Sequence, residues 1–275
     1  MTAPIPLPIQ PLLDAYLAAL QPLRDHFYGI YIYGSIALGA FEEMESDIDI
    51  IALTEGEWTE QELGLLAHIH KRFVKEYELG KRLEPMYIPL RDIGKYNADI
   101  APYPYASDGK FYAAGHFDLN AVTWWTIQHK GLCLLGPECA VLPLEVAWEE
   151  VLGAMRYNLN TYWASKAKKP YLFLSDLWVM AAVATLCRIL TAIEEGEIVS
   201  KSASLIRWRD RLPTRWHALI DEAWRIRQHL NTQSLYRSRN ERKRETLAFI
   251  EYVRARQKDF LALTCYRGCN HVFYT

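Results

Sequence analysis

The sequence predicts an α/β domain followed by an all-α helical domain, with the boundary near Pro143. Three observations predict it. Short β-like runs alternate with helix-period stretches up to about residue 130, helix-period segments fill most of the chain after the Gly136-Pro137 break, and charge divides along the chain in the same sense. Residues 1–200 carry 15 Lys and Arg against 26 Asp and Glu, whereas residues 201–260 carry 15 against 7, within a net charge of −2. The 275 residues suit two domains at about 150 residues each, read here as 1–143 and 144–275. With 51% hydrophobic and 23% charged residues, the chain has an ordinary globular composition, which excludes collagen-like, low-complexity and disordered classes.

Each element follows from local pattern. Leu12, Leu13, Tyr16, Leu17, Leu20 and Leu23 recur at three- and four-residue steps, predicting a helix over 10–27. Tyr28 to Tyr33 reads as a strand, Ile36 to Phe41 as a short helix, and Asp47 to Leu53 as a second strand in which acid and isoleucine alternate. A helix over 59–77 and a third strand over 82–88 follow. Tyr96 to Gly115, rich in Pro, Gly, Tyr and Ala with no clear period, is expected to be a long loop. A helix over 120–129 closes the first domain, and five helices are expected in the second, over 144–166, 175–195, 201–211, 215–228 and 235–262.

No uninterrupted apolar run reaches the roughly 18 residues of a bilayer-spanning helix. The longest, Val179–Leu190, is broken by Arg188. The opening MTAPIPLPIQPLL lacks the basic region and continuous apolar core of a secretory signal, so the expected location is cytoplasmic. Five scattered cysteines suit a reducing compartment. Cys265, Cys269 and His271 have a loose metal-ligand spacing but lack a fourth ligand, and they read as a plain tail.

The stretch YIYGSIALGAFEEMESDIDIIAL, Tyr31 to Leu53, carries the chemistry. Gly34 and Ser35 lie between a strand and a helix start, where a missing side chain lets backbone approach a phosphate and a hydroxyl adds a donor. Asp47 and Asp49 alternate on a strand, which sends both carboxylates from one face about 7 Å apart at the backbone, an arrangement of hard oxygen ligands suited to Mg²⁺. Ser46 stands beside them and is counted with the nucleotide-binding set.

At these residues the chain resembles the nucleotidyltransferase superfamily, whose signature is Gly-Ser, a spacer, then Asp-x-Asp. The resemblance implies a palm-like α/β domain with a mixed sheet, a nucleoside triphosphate such as ATP, and two Mg²⁺ ions. It assigns Asp47 and Asp49 as catalytic metal ligands. A third carboxylate is expected from an adjacent strand. Glu84 in KRLEPMYIPL is preferred over Asp92 in the next turn, as general base, ligand to a metal, or both.

The segment Leu177 to Ala223 resembles the helical C-terminal domain of streptomycin/spectinomycin adenylyltransferases, through Leu186-Cys187-Arg188-Ile189, Gly196-Glu197-Ile198, Lys201 and Arg211-Leu212-Pro213. GLCLLGPE, Gly131 to Glu138, matches further upstream. By that resemblance Arg188 and Lys201 reach nucleotide phosphates, and the helical domain completes the ATP and acceptor cleft. Trp163, Asp176 and Tyr112 are candidate acceptor-binding residues. Lys166, Lys168 and Lys169 in the matching register ill suit a strongly cationic antibiotic. The activity implied is AMP transfer to a hydroxyl of a small molecule, by a monomer that binds neither nucleic acid nor membrane; a lincosamide, another metabolite or a protein hydroxyl is the alternative acceptor.

Overall fold

The structure is a computed structural model that describes residues 3–269, with side chains described to 258. It comprises two compact units, Met1–Glu150 and Val151–Thr275.

The first unit is built on one six-stranded sheet ordered β5-β4-β3-β2-β1-β6. Its strands are β1 (Phe27–Ile32), β2 (Ile48–Thr54), β3 (Leu83–Pro89), β4 (Tyr103–Ser107), β5 (Lys110–Gly115) and β6 (Leu132–Leu135). Only β2 and β3 run parallel, so the sheet is mixed, as expected. Its helices are α1 (Gln10–Ala19), α2 (Gly34–Ala37), α3 (Glu60–Glu76) and α4 (Ala121–Lys130). Thr59 caps α3 in a reciprocal capping box with Glu62, and Asn120 Oδ1 accepts from the Val122 N–H to start α4.

Strand pleating sorts the sheet into two faces. Ile30, Ile32, Ile48, Ile50 and Tyr87 join Leu12, Leu13 and Tyr16 of α1 and Leu66, Ile69 and Phe73 of α3 in one buried core. The intervening residues of β2 and β3, Asp49 and Glu84 among them, therefore point to the opposite face.

Two expectations are corrected here, and one strand is added. The helix over 10–27 ends at Ala19 and continues as a 3₁₀ segment, Gln21–His26, because Pro22 has no N–H to carry the α ladder onward. The expected loop at 96–115 contains the β4–β5 hairpin, closed by Asp108 at φ +51° and Gly109 at φ +72°. Two central residues in the left-handed region are what a two-residue type I′ turn requires, and Asp-Gly is its sequence signal. The strand was hidden because β5 is mostly exposed and shows no apolar alternation. β6, four residues long, is too short to show a period.

The second unit is helical, as expected. α5 (Trp148–Tyr157), a π-helical segment (Asn158–Trp163) and α6 (Ala164–Ala167) occupy the stretch read as a single helix. They are followed by α7 (Asp176–Glu195), α8 (Lys201–Arg209), α9 (His217–Arg227) and α10 (Arg239–Cys269). α7 stops where Gly196 takes a left-handed φ of +69°. Counted as a whole helix, α7 is long and apolar enough to cross a membrane, although its longest unbroken apolar run is shorter. It packs instead against α8, α9 and α10, with 67% of its most apolar window buried, as the central helix of this unit. His271 and the side chains of Cys265 and Cys269 lie outside the described residues.

The basic surplus of 201–260 is largely spent inside the unit. Arg207 pairs with Glu195 and Glu197, Arg211 with Glu195, Arg209 with Asp221, and Arg256 with Glu194.

Candidate active site

The site starts where β1 ends. The Tyr33 N–H donates to the Asp49 carbonyl at 3.0 Å, extending the β1–β2 ladder by one residue. Gly34 follows at φ +65°, a conformation that side-chain-bearing residues rarely adopt. A Cβ built there would overlap the Asp49 carboxylate, so glycine is required both by backbone and by space. Gly34→Ala is expected to cost about 1–3 kcal/mol of stability and to displace Asp49; an unchanged midpoint in urea unfolding would count against that packing. Ser35, the second residue of α2, has its Oγ buried and without a hydrogen-bond partner among the described residues. A buried hydroxyl left unpaired costs free energy unless a ligand or water completes it.

The acidic residues come next. Asp47 lies one residue before β2 and is exposed, Ile48 is buried, and Asp49 is half-buried, so the two carboxylates share a face. In the parallel β2–β3 register Asp49 stands opposite Glu84. Glu84 is 7% exposed. Its carboxylate accepts from Ser107 Oγ at 2.9 Å and from the Asp108 N–H at 3.0 Å. Burial pushes its pKa up to about 7; the Asp108 N–H and Ser107 hydroxyl oppose the rise, and the charges of Asp47 and Asp108 add to it. Asp92 sits beyond the far end of β3 and pairs with Lys95 at 2.8 Å, so strand geometry brings Glu84 and not Asp92 to Asp49.

Other predicted residues take different places. Ser46 is buried, and its Oγ accepts from the Glu42 N–H, which shapes the loop into β2. Tyr112 is 40% exposed and stacks on Tyr105, centroids 4.7 Å apart, which in turn stacks on Phe117 at 5.2 Å. In the second unit, Arg188 Nε donates to the Val199 carbonyl at 2.9 Å, which holds the Arg beside the N-terminus of α8, where Lys201 is the first residue. Trp163 is buried, its Nε1 has no hydrogen-bond partner among the described residues, and its ring meets Trp178 edge-on. The Lys166 ammonium lies 4.9 Å from the ring centroids of both Tyr162 and Trp178. Asp176 pairs with Arg242 at 2.5 Å and with Arg225 at 4.0 Å.

Sequence reasoning missed four contributors to the first unit's site. Arg82 donates to the Glu43 and Met44 carbonyls, at 2.5 and 2.6 Å, and so anchors the loop before Asp47. Tyr33 is buried with its hydroxyl unpartnered among the described residues, and burial, reinforced by the charges of Asp49, Asp118 and Glu84, holds that phenol well above its usual pKa. Ser107 and Asp108 bind Glu84, and the Asp108-Gly109 turn was the one signal that could have found them.

Among the described residues no group of three His, Cys, Asp or Glu stands gathered tightly enough to enclose a metal ion. The donors nevertheless suit a hard cation in kind. They are all carboxylate oxygens, the charge of Asp47 adds to the burial that raises Glu84, and they lie beside a glycine turn whose buried Ser35 hydroxyl lacks a partner among the described residues.

Comparison with known proteins agrees with this architecture. Residues 19–102 match the nucleotidyltransferase domain family, and residues 148–256 match the C-terminal domain of aminoglycoside adenylyltransferase. No curated protein matches the chain in sequence. The crystal structure of spectinomycin adenyltransferase AAD(9) from Enterococcus faecialis, solved with ATP and spectinomycin, shares the fold: its TM-score is 0.62 at 16% identity, covering 90% of this chain and 98% of that one. With its glycine turn and carboxylate-bearing parallel strands inside the first match and its helical unit spanning the second, the chain belongs to the nucleotidyltransferase enzymes of the aminoglycoside adenylyltransferase type.

Proposed function

We propose that the protein is an ATP- and Mg²⁺-dependent O-nucleotidyltransferase that moves AMP to a hydroxyl of a small molecule, an aminocyclitol or aminoglycoside of the spectinomycin and streptomycin kind. The observation that carries this reading is the placement of Asp49 opposite Glu84 on parallel strands, directly against the Gly34-Ser35 turn. In it, the Gly34 backbone and Ser35 hydroxyl receive a phosphate, and Ser46 shapes the adjoining loop. Asp47, Asp49 and Glu84 would hold two Mg²⁺ ions, which supply neutralisation of triphosphate charge. Arg188 and Lys201 contribute a fork and a point charge for phosphate oxygens. Glu84 takes the proton of the acceptor hydroxyl. That oxygen forms a bond to the α-phosphorus as the bond to the bridging oxygen breaks, and pyrophosphate leaves with the electron pair.

Asp176 and Lys166 favour a second reading of the acceptor. The one acid in the acceptor-binding register is already matched to Arg242, and a lysine ammonium covers the neighbouring rings. Both features suit an acceptor with little positive charge, spectinomycin before streptomycin, or a lincosamide, another metabolite or a protein hydroxyl. Pyrophosphate release with ATP and Mg²⁺ is to be measured across spectinomycin, streptomycin, other aminoglycosides and lincosamides, with Asp47→Ala as control. Turnover that disappears in the control is expected. Failure to bind ATP at all would overturn the reaction class, whereas ATP binding without release would move the acceptor outside these antibiotics.

A further inference from the structure

The β4–β5 hairpin ends beside Glu84 for a geometric reason. Met86 pairs with Tyr105 across the antiparallel β3–β4 ladder, so two residues further along Ser107 comes opposite Glu84. Ser107 also pairs with Lys110, which leaves Asp108 and Gly109 as the whole loop, both at positive φ. The turn aims the Asp108 N–H back at β3. Ser107 Oγ and Asp108 N then donate to the same atom, Glu84 Oε1, at 2.9 and 3.0 Å. Among the described residues no donor to Glu84 Oε2 is found.

We propose that Ser107, with the Asp108-Gly109 turn, is a positioning element that fixes one oxygen of Glu84 and thereby presents the other to the reacting proton. This rests on the reading of Glu84 as the base. A carboxylate on a three-bond side chain can rotate about its terminal torsion, and a base that rotates spends less time in reach of the hydroxyl it must deprotonate. Two donors converging on Oε1, one from a side chain and one from a strained backbone turn, remove that freedom. Gly109 is part of the device: it sits at φ +72°, and a Cβ there would lie 3.3 Å from both Lys81 and Val74 side-chain atoms.

The test compares steady-state kinetics of the full chain carrying Ser107→Ala, Ser107→Thr or Gly109→Ala, using ATP, Mg²⁺ and spectinomycin, or water as acceptor if no antibiotic turns over. Ser107→Ala is expected to lower kcat on the order of tenfold, the size of one charge-assisted hydrogen bond, with KM for ATP unchanged. Ser107→Thr, which keeps a hydroxyl, restores most of that loss, and Gly109→Ala reproduces it through the backbone. In a Glu84→Gln background Ser107→Ala should add no further loss, whereas a merely structural role would lower activity in both backgrounds. Wild-type kcat in Ser107→Ala, or an equal loss in the Thr variant, overturns the positioning role and leaves Glu84 as base. Full activity of Glu84→Gln would instead remove the base, and the positioning role with it.

Discussion

Glu84→Gln is expected to lower AMP transfer by about 10²- to 10⁴-fold, the usual contribution of a positioned base, while ATP binding persists. The argument is one of place and environment. Register sets Glu84 opposite Asp49, and the hairpin holds one of its oxygens. Burial raises its pKa to about 7, where a carboxyl can both accept a proton and exist ionised at physiological pH.

Two pH signatures follow, with opposite signs. Activity requires the ionised base, whose fraction in the metal-free protein climbs as pH rises through about 7, so Mg²⁺-dependent turnover should increase with pH from the acid side. Stability moves the other way. A carboxyl whose folded pKa exceeds its unfolded value of about 4.5 contributes stability below that value and loses it as pH rises through about 7. Ionising Glu84 therefore costs the fold up to about 3 kcal/mol at neutral and higher pH. Melting temperatures of the wild type and Glu84→Gln, compared from pH 4.5 to 8, should diverge upward in favour of the variant. Parallel curves would show that Glu84 does not carry this cost. Such a trade of stability for a poised group is common at working sites.

Glu222→Ala is expected to destabilise the helical unit by about 3–5 kcal/mol. Glu222 is fully buried and accepts five hydrogen bonds: two from Arg225 at 3.0 Å each, one from Arg242 at 2.8 Å, one from Ser234 Oγ at 2.7 Å and one from the Leu235 N–H at 3.0 Å. Burial pushes its carboxyl upward, but these donors, Arg225 and Arg242 foremost, hold it down at about 2. Removing it strands Arg242, itself 2% exposed, with Asp176 and the Leu174 carbonyl as its guanidinium's remaining partners among the described residues. The penalty is that of an undercompensated buried cation, more than the worth of any one bond. Glu222→Gln, which keeps acceptor capacity at one oxygen, should fall between. Here the folded pKa is depressed, so the stabilisation is present above about 4.5 and is lost as pH falls toward 2. Urea unfolding of the full chain at pH 7 and pH 3 measures both effects, and a change below 1 kcal/mol in Glu222→Ala would contradict the network's role.

This network also explains why α10 starts at Arg239 and not at Leu235 as periodicity suggested. Ser234 and Leu235 give their donors to Glu222, which keeps that segment out of the helix. Periodicity reports only which residues want burial; it does not report that a buried acid in α9 will claim a backbone N–H 13 residues later.

Much of the candidate site was legible in the primary structure because its signals are local. Gly34-Ser35 at a strand-to-helix turn and the Asp47/Asp49 alternation each lie within a few residues, where turn chemistry and the two-residue strand period speak directly. Glu84 was reachable too, since its apolar surroundings marked a strand. The order of the two units and most helices of the second were likewise readable from period, except for the π-helical break after α5 and the start of α10.

What held Glu84 was not readable. Ser107 and Asp108 lie 23 and 24 residues away in sequence, and their convergence on one oxygen depends on the β3–β4 register and on a turn in which Asp108 and Gly109 adopt positive φ. Asp176 gives the same lesson in reverse. As a residue type it suits a cationic ligand, yet packing places the guanidinium of Arg242, 66 residues away, against it. Composition, hydrophobic period and turn residues determine which elements form and which faces are buried, since those depend on near neighbours. Which charges are compensated, and which oxygen of a base is left to work, depends on long-range register, and only the folded chain decides that.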